Sequence, residues 1–315
     1  MDKLRLPESL ECSQRILVAG AGGGFDVYAG LPIYSRLRSI GKTVFLANLS
    51  FTYLKGTNAP ELSPCLYAVD ESTVGEDRYF PERTLCRFVS RRLGESIRVY
   101  AFEREGAKPI REAYSYLAAR LNIDAVVLLD GGTDILLRGD EASLGTPAED
   151  VVSLAAVNAL HVPTRMVACV GFGIDTFHGV CHANWLENLA GLASEGAFLG
   201  AIALLPSMPE VRFYLDAVDD AEFATPDRPS IVNGSIASAI QGRFGDCHRS
   251  RRTRGSKLFI NPLMSLLWIC ELAAVARRNL YLDRLKDTES HREVLQEIEE
   301  YQATIRSRPR MPIPH

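Results

Sequence analysis

The sequence lacks the features that mark nucleic-acid-binding and membrane proteins. Its 315 residues carry a net charge of −4, so there is no basic excess of the kind that nucleic-acid-binding domains use. The first ten residues contain no apolar signal core. The most apolar long stretch, residues 258–276, is interrupted by Asn261, Pro262 and Glu271, and is better explained by a buried helix than by a membrane span. We therefore expect neither a nucleic-acid nor a membrane partner.

Several sequence signatures of known chemistry are also absent. The seven cysteines are odd in number and include no C-x-x-C pair, which favours reduced thiols and a cytoplasmic location over a disulfide framework. No Walker lysine pattern and no G-x-S-x-G elbow occurs, so a P-loop enzyme or a serine hydrolase is disfavoured. His178, Cys181 and His182 resemble a zinc spacing only loosely, because no second ligand pair accompanies them.

What the sequence does contain is the composition of a globular protein with an ample core: 47% of the residues are hydrophobic and 23% are charged. Residues 1–225 are predicted to form a ligand-binding domain, in which residues 53–94 are an irregular insertion or a lid. Residues 226–315 are predicted to form a helical portion packed on that domain in one compact unit. It includes a single long helix over residues 262–286, and its helices offer a surface for a homo-oligomer.

A glycine-rich stretch near the N-terminus is the centre of the prediction. The apolar run Ile16, Leu17 and Val18 precedes G-A-G-G-G-F-D, and an amphipathic segment follows, which is typical of a strand, a glycine turn and a helix. Such a turn offers backbone N–H groups to an anion. Asp26 adds a carboxylate there, which suits a metal ion, a ribose hydroxyl or a proton transfer. Phe25 stands where the dinucleotide fingerprint requires its third glycine, so NAD binding has weak support.

Strand and helix patterns alternate along residues 16–205 in a way that predicts the fold class. Buried-strand patterns at residues 43–51, 97–102, 123–129, 164–170 and 198–205 alternate with helical ones. This alternation predicts an α/β protein with a Rossmann-like, doubly wound and mainly parallel sheet. A capping box at Thr146 and Glu149, with Pro147 between them, predicts a helix that begins at Ala148.

Three predicted strands end in glycine followed by aspartate, which gives the candidate catalytic groups Asp26, Asp134 and Asp175. Since ligands of open α/β sheets bind at the carboxyl ends of the strands, these aspartates are expected to share one crevice. Clustered carboxylates repel one another, so either one of them has a raised pKa or a divalent metal ion lies between them. His178 is the candidate acid or base. The predicted substrate-binding residues are Gly22, Gly23, Gly24, Asn48, Gly131, Gly132, Thr133, Glu141 and Gly173.

Three motifs together resemble one protein family. They are G-A-G-G-G-F-D-V-Y-A-G-L-P, D-G-G-T-D-I-L-L-R-G-D-E-A-S-L-G-T-P-A-E-D and G-F-G-I-D-T-F-H-G, in this order. Their combination is similar to the family known as domain of unknown function 1152, over roughly residues 16–276. The resemblance supports these three loops as the signature of the chain and implies no particular chemistry.

The leading hypothesis is an enzyme that binds a small, anionic phosphorylated or nucleotide-like molecule and catalyses hydrolysis or group transfer, with a divalent metal ion as the candidate cofactor. One alternative is an NAD(P)-dependent oxidoreductase. That alternative requires a ribose-binding acid after the second strand, where the sequence has Ala47 to Phe51 without one. The other alternative is a non-catalytic nucleotide-binding sensor or scaffold.

Overall fold

A computed structural model describes residues 3–76 and 78–313, and a single nine-stranded sheet runs through this part of the chain. The strands are Arg15–Gly20 (β1), Thr43–Leu49 (β2), Glu61–Ser63 (β3), Leu66–Val69 (β4), Val99–Phe102 (β5), Ala125–Asp130 (β6), Thr164–Cys169 (β7), Phe198–Ala203 (β8) and Leu266–Glu271 (β9).

The centre of the sheet is parallel and has Rossmann-like order. The order across the whole sheet is β3-β4-β5-β2-β1-β6-β7-β9-β8, in which β5, β2, β1, β6 and β7 all run in parallel. β1 lies in the middle, and the chain forms the strands on one side of it, β2 to β5, before those on the other side, β6 to β9. The predicted fold class is therefore confirmed. The direction reverses between β1 and β6, where α/β sheets of this kind bind their ligands.

Helices cover the sheet on both sides. They are Glu8–Cys12 (α1), Asp26–Ala29 (α2), Leu31–Ser39 (α3), Pro81–Leu93 (α4), Ala107–Leu121 (α5), Pro147–Asn158 (α6), His182–Ser194 (α7), Pro209–Ala224 (α8), Ile231–Ile240 (α9), Leu272–Arg278 (α10), Leu282–Leu285 (α11) and His291–Thr304 (α12). No helix in the described ranges is long and apolar enough to cross a membrane.

Two hydrophobic cores lie on the two faces of the sheet, and β1 contributes to both. Leu17 packs in one core, whereas Ile16 and Val18 pack in the other, and all three are fully buried. A strand buried on both faces needs apolar side chains at successive positions, which is why the central strands are near-continuous apolar runs.

The prediction of one long helix over residues 262–286 was wrong. A short 3-10 turn at Pro262–Ser265 leads into β9, and α10 begins only at Leu272. β9 lies antiparallel between β7 and β8, so the C-terminal portion contributes to the main sheet and is not purely helical. The run L-L-W-I-C is apolar at every position, and a buried strand cannot be distinguished from a buried helix by periodicity in so short a run.

Residues 53–94 are also more regular than predicted. They contain the antiparallel strands β3 and β4, which extend the sheet beyond β5, and the thirteen-residue helix α4. The prolines that suggested an irregular excursion lie outside the strands, and Pro81 occupies the first turn of α4, where its missing N–H costs nothing. Among the described residues of this segment, only Tyr79 reaches the ligand crevice described below.

Candidate functional site

The glycine turn after β1 forms the start of a large crevice at the carboxyl edge of the parallel strands. Gly23 and Gly24 have φ angles of 92° and 61°, which other residues rarely adopt, so the turn requires glycine at both positions. The side-chain hydroxyl of Ser153 in α6 donates to the carbonyl of Ala21 at 2.8 Å and fixes the turn against that helix. The crevice has a volume of about 990 Å³, enough for a small organic ligand.

Three carboxylates converge on the floor of this crevice. Asp26 follows the glycine turn, Asp130 ends β6, and Asp150 lies in the first turn of α6. One carboxylate oxygen from each of them lies within 4.8 Å of the other two. Asp26 accepts a hydrogen bond from the N–H of Gly22 at 2.7 Å, and Asp130 accepts a longer one from the N–H of Ile135 at 3.2 Å. Oδ1 of Asp150 has no hydrogen-bond partner in the described parts of the chain.

These carboxylates hold protons more tightly than isolated aspartates do. Enclosure by the protein, with smaller repulsion from Asp134 and Glu149, raises the pKa of Asp26 to about 7, although its side chain partly faces the crevice. Burial raises the pKa of Asp130 and of Asp150 well above their usual range, and the neighbouring carboxylates raise both further. A divalent cation would remove this repulsion, because carboxylate oxygens are the ligands that Mg²⁺ and Mn²⁺ prefer.

Asp134 and Asp175 line the same crevice but are engaged by neighbouring backbone groups. Oδ2 of Asp134 accepts hydrogen bonds from the N–H and hydroxyl of Thr146, at 2.7 and 3.3 Å. Oδ2 of Asp175 accepts from the N–H and hydroxyl of Thr133, at 2.8 and 3.2 Å. Burial is the largest cause of the raised pKa of both carboxyl groups. The predicted metal set of Asp26, Asp134 and Asp175 thus shares one crevice, whereas the closest grouping of oxygens joins Asp26 with Asp130 and Asp150.

The capping box predicted at the start of α6 is not formed. Thr146 does precede the helix and Pro147 opens it, but the Thr146 side chain makes no capping hydrogen bond to the helix. Its hydroxyl bonds Asp134 instead, and Glu149 lies near Arg104 at 3.8 Å and His291 at 3.7 Å. The helix start is therefore tied to the motif loop that carries Asp134.

The glycines of the three motifs let these carboxylates approach the backbone. A Cβ atom on Gly22 would lie 2.9 Å from oxygens of both Asp26 and Asp150, and one on Gly131 would lie 2.8 Å from Asp26. A Cβ atom on Gly132 would lie 3.0 Å from oxygens of Asp130 and Asp175. The crevice is lined by all six of the glycines predicted to bind substrate, namely Gly22, Gly23, Gly24, Gly131, Gly132 and Gly173.

His178 also lines the crevice, on the exposed end of the 3-10 turn that follows β7. Its backbone carbonyl accepts a hydrogen bond from the Ser143 hydroxyl at 2.6 Å, and its imidazole makes an edge contact with the Phe177 ring. The positive form of His178 lowers the pKa of Asp134, opposing the effect of burial, so the two side chains are electrostatic neighbours. His178 therefore lies on the crevice lining near Asp134.

Three predicted substrate-binding residues lie behind the crevice wall. The Asn48 amide donates to the Gly24 carbonyl at 2.8 Å and to buried Glu82 at 2.7 Å, so Asn48 supports the glycine turn from below. Burial raises the pKa of Glu82 to about 7. Thr133 is buried against Asp175. None of Asn48, Thr133 and Glu141 is among the described residues that line the crevice.

Glu141 belongs to a separate cluster of acidic side chains that surround an arginine. Its carboxylate accepts hydrogen bonds from the backbone N–H groups of Arg138 and Gly139, at 3.0 and 2.8 Å, and from the Asn188 amide at 2.6 Å. The guanidinium of Arg308 contacts Glu141 at 2.8 Å and Asp140 at 2.9 Å, and it also pairs with Glu187. We name Asp140, Glu141, Glu187 and Arg308 the tail cluster, because Arg308 lies in the segment after α12.

A further part of the crevice wall combines positive charge with aromatic rings, and the sequence analysis did not assign it. Its contributors are Phe51, Tyr79, Phe177, Arg228, Arg252, Arg254, Lys257 and Phe259. Most of these side chains come from loops without a helix or strand pattern, so only the density of basic residues in residues 242–256 was visible in the sequence. Asp150 was also missed as a site residue, although its place at the amino end of a helix on the crevice side was a usable signal.

Fold and site together define an α/β protein with a Rossmann-like sheet, whose acidic crevice lies at the topological switch point. A family model described as "Protein of unknown function (DUF1152)" matches residues 17–305, and the chain belongs to this family. The resemblance of the three motifs is thereby confirmed. No curated protein and no solved structure matches the chain.

Proposed function

We propose that the protein is an enzyme that binds a small phosphorylated or nucleotide-like molecule through a divalent cation and catalyses hydrolysis or group transfer. Asp26, Asp130 and Asp150 would hold the cation. The glycine turn would hold the anionic part of the ligand, and His178 would donate or accept a proton. The cation would act as a Lewis acid toward phosphoryl oxygens.

The observation that carries the proposal is the state of Asp150. Its side chain is 2% exposed and lines the crevice, yet Oδ1 has no hydrogen-bond partner within the described residues. A buried carboxylate without a partner is costly, so such groups are usually paired with a positive charge or a metal ion. The oxygens of Asp26 and Asp130 lie within 4.8 Å of this group, and together they form an oxygen-only ligand set.

Electrostatics favour a cation-bridged phosphate over a dinucleotide that lies directly on the turn. In dinucleotide-binding proteins the pyrophosphate rests on the glycine turn and the helix after it. Here the three carboxylates lie beside that turn, with Gly22 between Asp26 and Asp150, and they would repel a bare pyrophosphate. A divalent cation changes this repulsion into attraction. This argument favours metal-dependent phosphate chemistry over the nicotinamide alternative.

Calorimetric titration with MnCl₂ and with MgCl₂ tests the cation site. We expect one cation to bind at neutral pH, and we expect Asp130→Asn and Asp150→Asn each to weaken binding at least about tenfold. Asp287→Asn is the matched control, because Asp287 is exposed and lies outside the crevice lining. If the wild-type protein binds neither metal, or if all three variants bind as well as the wild type, the proposal is wrong.

An assay of turnover distinguishes the proposed enzyme from a non-catalytic sensor. The cation-loaded protein should release phosphate from, or transfer a group between, members of a panel of phosphorylated small molecules. His178→Asn should lower that rate while cation binding stays unchanged, because His178 is placed to move protons and not to hold the metal. Tight ligand binding without turnover in the wild type would favour the non-catalytic sensor instead.

A further inference from the structure

The mouth of the crevice exposes more aromatic surface than a protein normally leaves in water. Phe177 is 72% exposed, Phe259 is 59% exposed and Phe51 is 43% exposed, and all three line the same crevice. Single exposed apolar residues need no explanation, but several at the mouth of one pocket indicate a binding surface.

Of these three rings in the crevice, Phe177 and Phe259 are the ones that the protein itself covers least. Phe51 already has the Arg104 guanidinium 5.2 Å from its ring centroid. Phe177 makes an edge contact with His178 at 5.2 Å, and Phe259 makes one with Phe244 at 5.5 Å, while both rings stay more than half exposed.

The segments that carry these two rings pack against each other. The N–H of Gly171 donates to the carbonyl of Met264 at 3.2 Å. Ile174 packs in the same small hydrophobic cluster as Ile260 and Met264. The two phenylalanines therefore belong to one side of the crevice, the side formed by the loop after β7 and the strand-like segment before β9.

Positive charge accompanies these rings. Arg228, Arg254 and Lys257 are exposed and line the crevice, and none of them forms an ion pair within residues 3–76 and 78–313. Arg252 is held by the Pro229 carbonyl at 2.9 Å, and Asp227 adds one carboxylate to this wall. Unpaired cations beside uncovered aromatic rings complement a ligand that has both an anionic group and a flat aromatic group.

We infer that the ligand of the proposed enzyme is a nucleotide, whose base stacks on Phe177 and Phe259 and whose phosphate lies between the cationic wall and the aspartate-bound cation. This inference rests on the proposed function for the place of the phosphate. A sugar phosphate would satisfy the cations and the metal ion but would leave both rings exposed. Base stacking on aromatic side chains tolerates any base, so the rings select the nucleotide class and not one member of it.

The test compares ligands that differ only in the base. AMP, GMP, UMP and CMP are titrated by calorimetry into the Mn²⁺-loaded protein, with ribose 5-phosphate as the ligand that lacks a base. We expect at least one nucleotide to bind about tenfold or more tightly than ribose 5-phosphate. Phe177→Leu and Phe259→Leu should each reduce that preference, and Mn²⁺ affinity should stay unchanged. Phe223→Leu is the matched control, since Phe223 is 88% exposed and lies outside the crevice lining.

The possible failures can be told apart. If ribose 5-phosphate binds as tightly as every nucleotide and Mn²⁺ is still required, the nucleotide inference is wrong and the proposed function stands. A nucleotide preference that persists in both crevice variants also overturns the role of the rings. If neither Mn²⁺ nor any of the five phosphates binds, the proposed function and this inference both fail. Both variants alter exposed rings, so melting temperatures close to that of the wild type are expected and verify that they fold.

Discussion

Two groups of acidic side chains, the tail cluster and the crevice floor, differ in whether the protein supplies a cation for their negative charge. In the tail cluster, Asp140, Glu141 and Glu187 surround the Arg308 guanidinium. On the crevice floor, Asp26, Asp130 and Asp150 converge without any arginine or lysine among the described contacts, and Asp150 keeps an unpartnered oxygen. The carboxylates of the tail cluster share a cation that the protein supplies, whereas the crevice floor has the charge of a site that needs a positive ligand.

The second motif contributes acidic residues to both groups. Asp130 and Asp150 begin and end the second motif, and Glu141 lies between them. Arg308 binds Glu141 in the middle of that loop, and Asp130 and Asp150 at its two ends line the crevice. A charged residue in the motif is therefore not by itself a ligand-binding residue, and the location of its counter-charge separates the two roles.

The largest expected effect is on the pH dependence of stability without divalent cations. The pKa of Asp26 is about 7 in the folded protein against a usual value of 3.8, so the folded state binds its proton more tightly than the unfolded state. The Asp26 proton therefore contributes roughly 4 kcal/mol to the free energy of unfolding below about pH 4, and this contribution is lost as pH rises through 7. Urea unfolding between pH 4 and 8 measures it. Asp26→Asn, or saturating Mn²⁺, should flatten the profile, and a wild-type profile that rises with pH would contradict it.

Removal of the counter-charge in the tail cluster should have the next largest effect. Arg308→Ala leaves the nearly inaccessible carboxylate of Glu141 without its cation, and we expect a loss of about 3 kcal/mol of unfolding free energy, the lower end for a broken buried pair because Arg308 partly faces water. Arg306→Ala is the control, since Arg306 is exposed. Equal urea midpoints for the two variants would show that the tail cluster contributes little to stability.

Removal of a carboxylate charge from the crevice floor should stabilise the folded protein, whereas removal of one from the tail cluster should destabilise it. Asp150→Asn removes one of three carboxyl groups that raise one another's pKa, so the unfolding free energy of the cation-free protein at pH 7.5 should increase. Glu141→Gln should instead destabilise the protein. Chemical denaturation in the presence of EDTA compares them, and a loss of stability in both variants would remove the distinction between the two groups.

Asp134→Asn should have the smallest effect. Asn can keep the acceptor oxygen that Thr146 uses, so stability should change little, while loss of the charge beside the floor should weaken Mn²⁺ binding about tenfold. Thermal melting alongside calorimetric titration separates the two quantities. If cation affinity is unchanged, Asp134 only fixes the start of α6. If stability and affinity fall together, its role is structural.

The parallel half of the fold was predictable because its local signals agree with one another. The apolar runs of β1, β6 and β7 each lead into a loop that contains glycine and aspartate, and each run is long enough to be buried on both faces. The antiparallel strand β9 was not predictable from its own sequence, since Leu266 to Cys270 would suit the interior of a helix equally well. Its conformation is set by pairing with β7 and β8, which are distant in the chain.

The sequence predicts which loops form the crevice of the candidate site, but not which groups each acidic side chain contacts there. The offset of Asp26, Asp134 and Asp175 after three strands correctly brought them to one edge of the sheet. The hydrogen bonds that occupy Asp134 and Asp175, and the pairing of Glu141 with Arg308, depend on contacts between distant segments. No local pattern in the sequence carries that information.

The position of β9 has a consequence for the order in which the molecule folds. Among the described strands, β8 pairs only with β9. The two strands are separated in sequence by residues 204–265, which include the basic residues of the crevice wall. Contacts between such distant segments form slowly, because a long loop must close first. The edge of the sheet and the cationic wall should therefore become ordered in the same late step, and a refolding experiment should detect protection of β8 amides only when β9 is protected too.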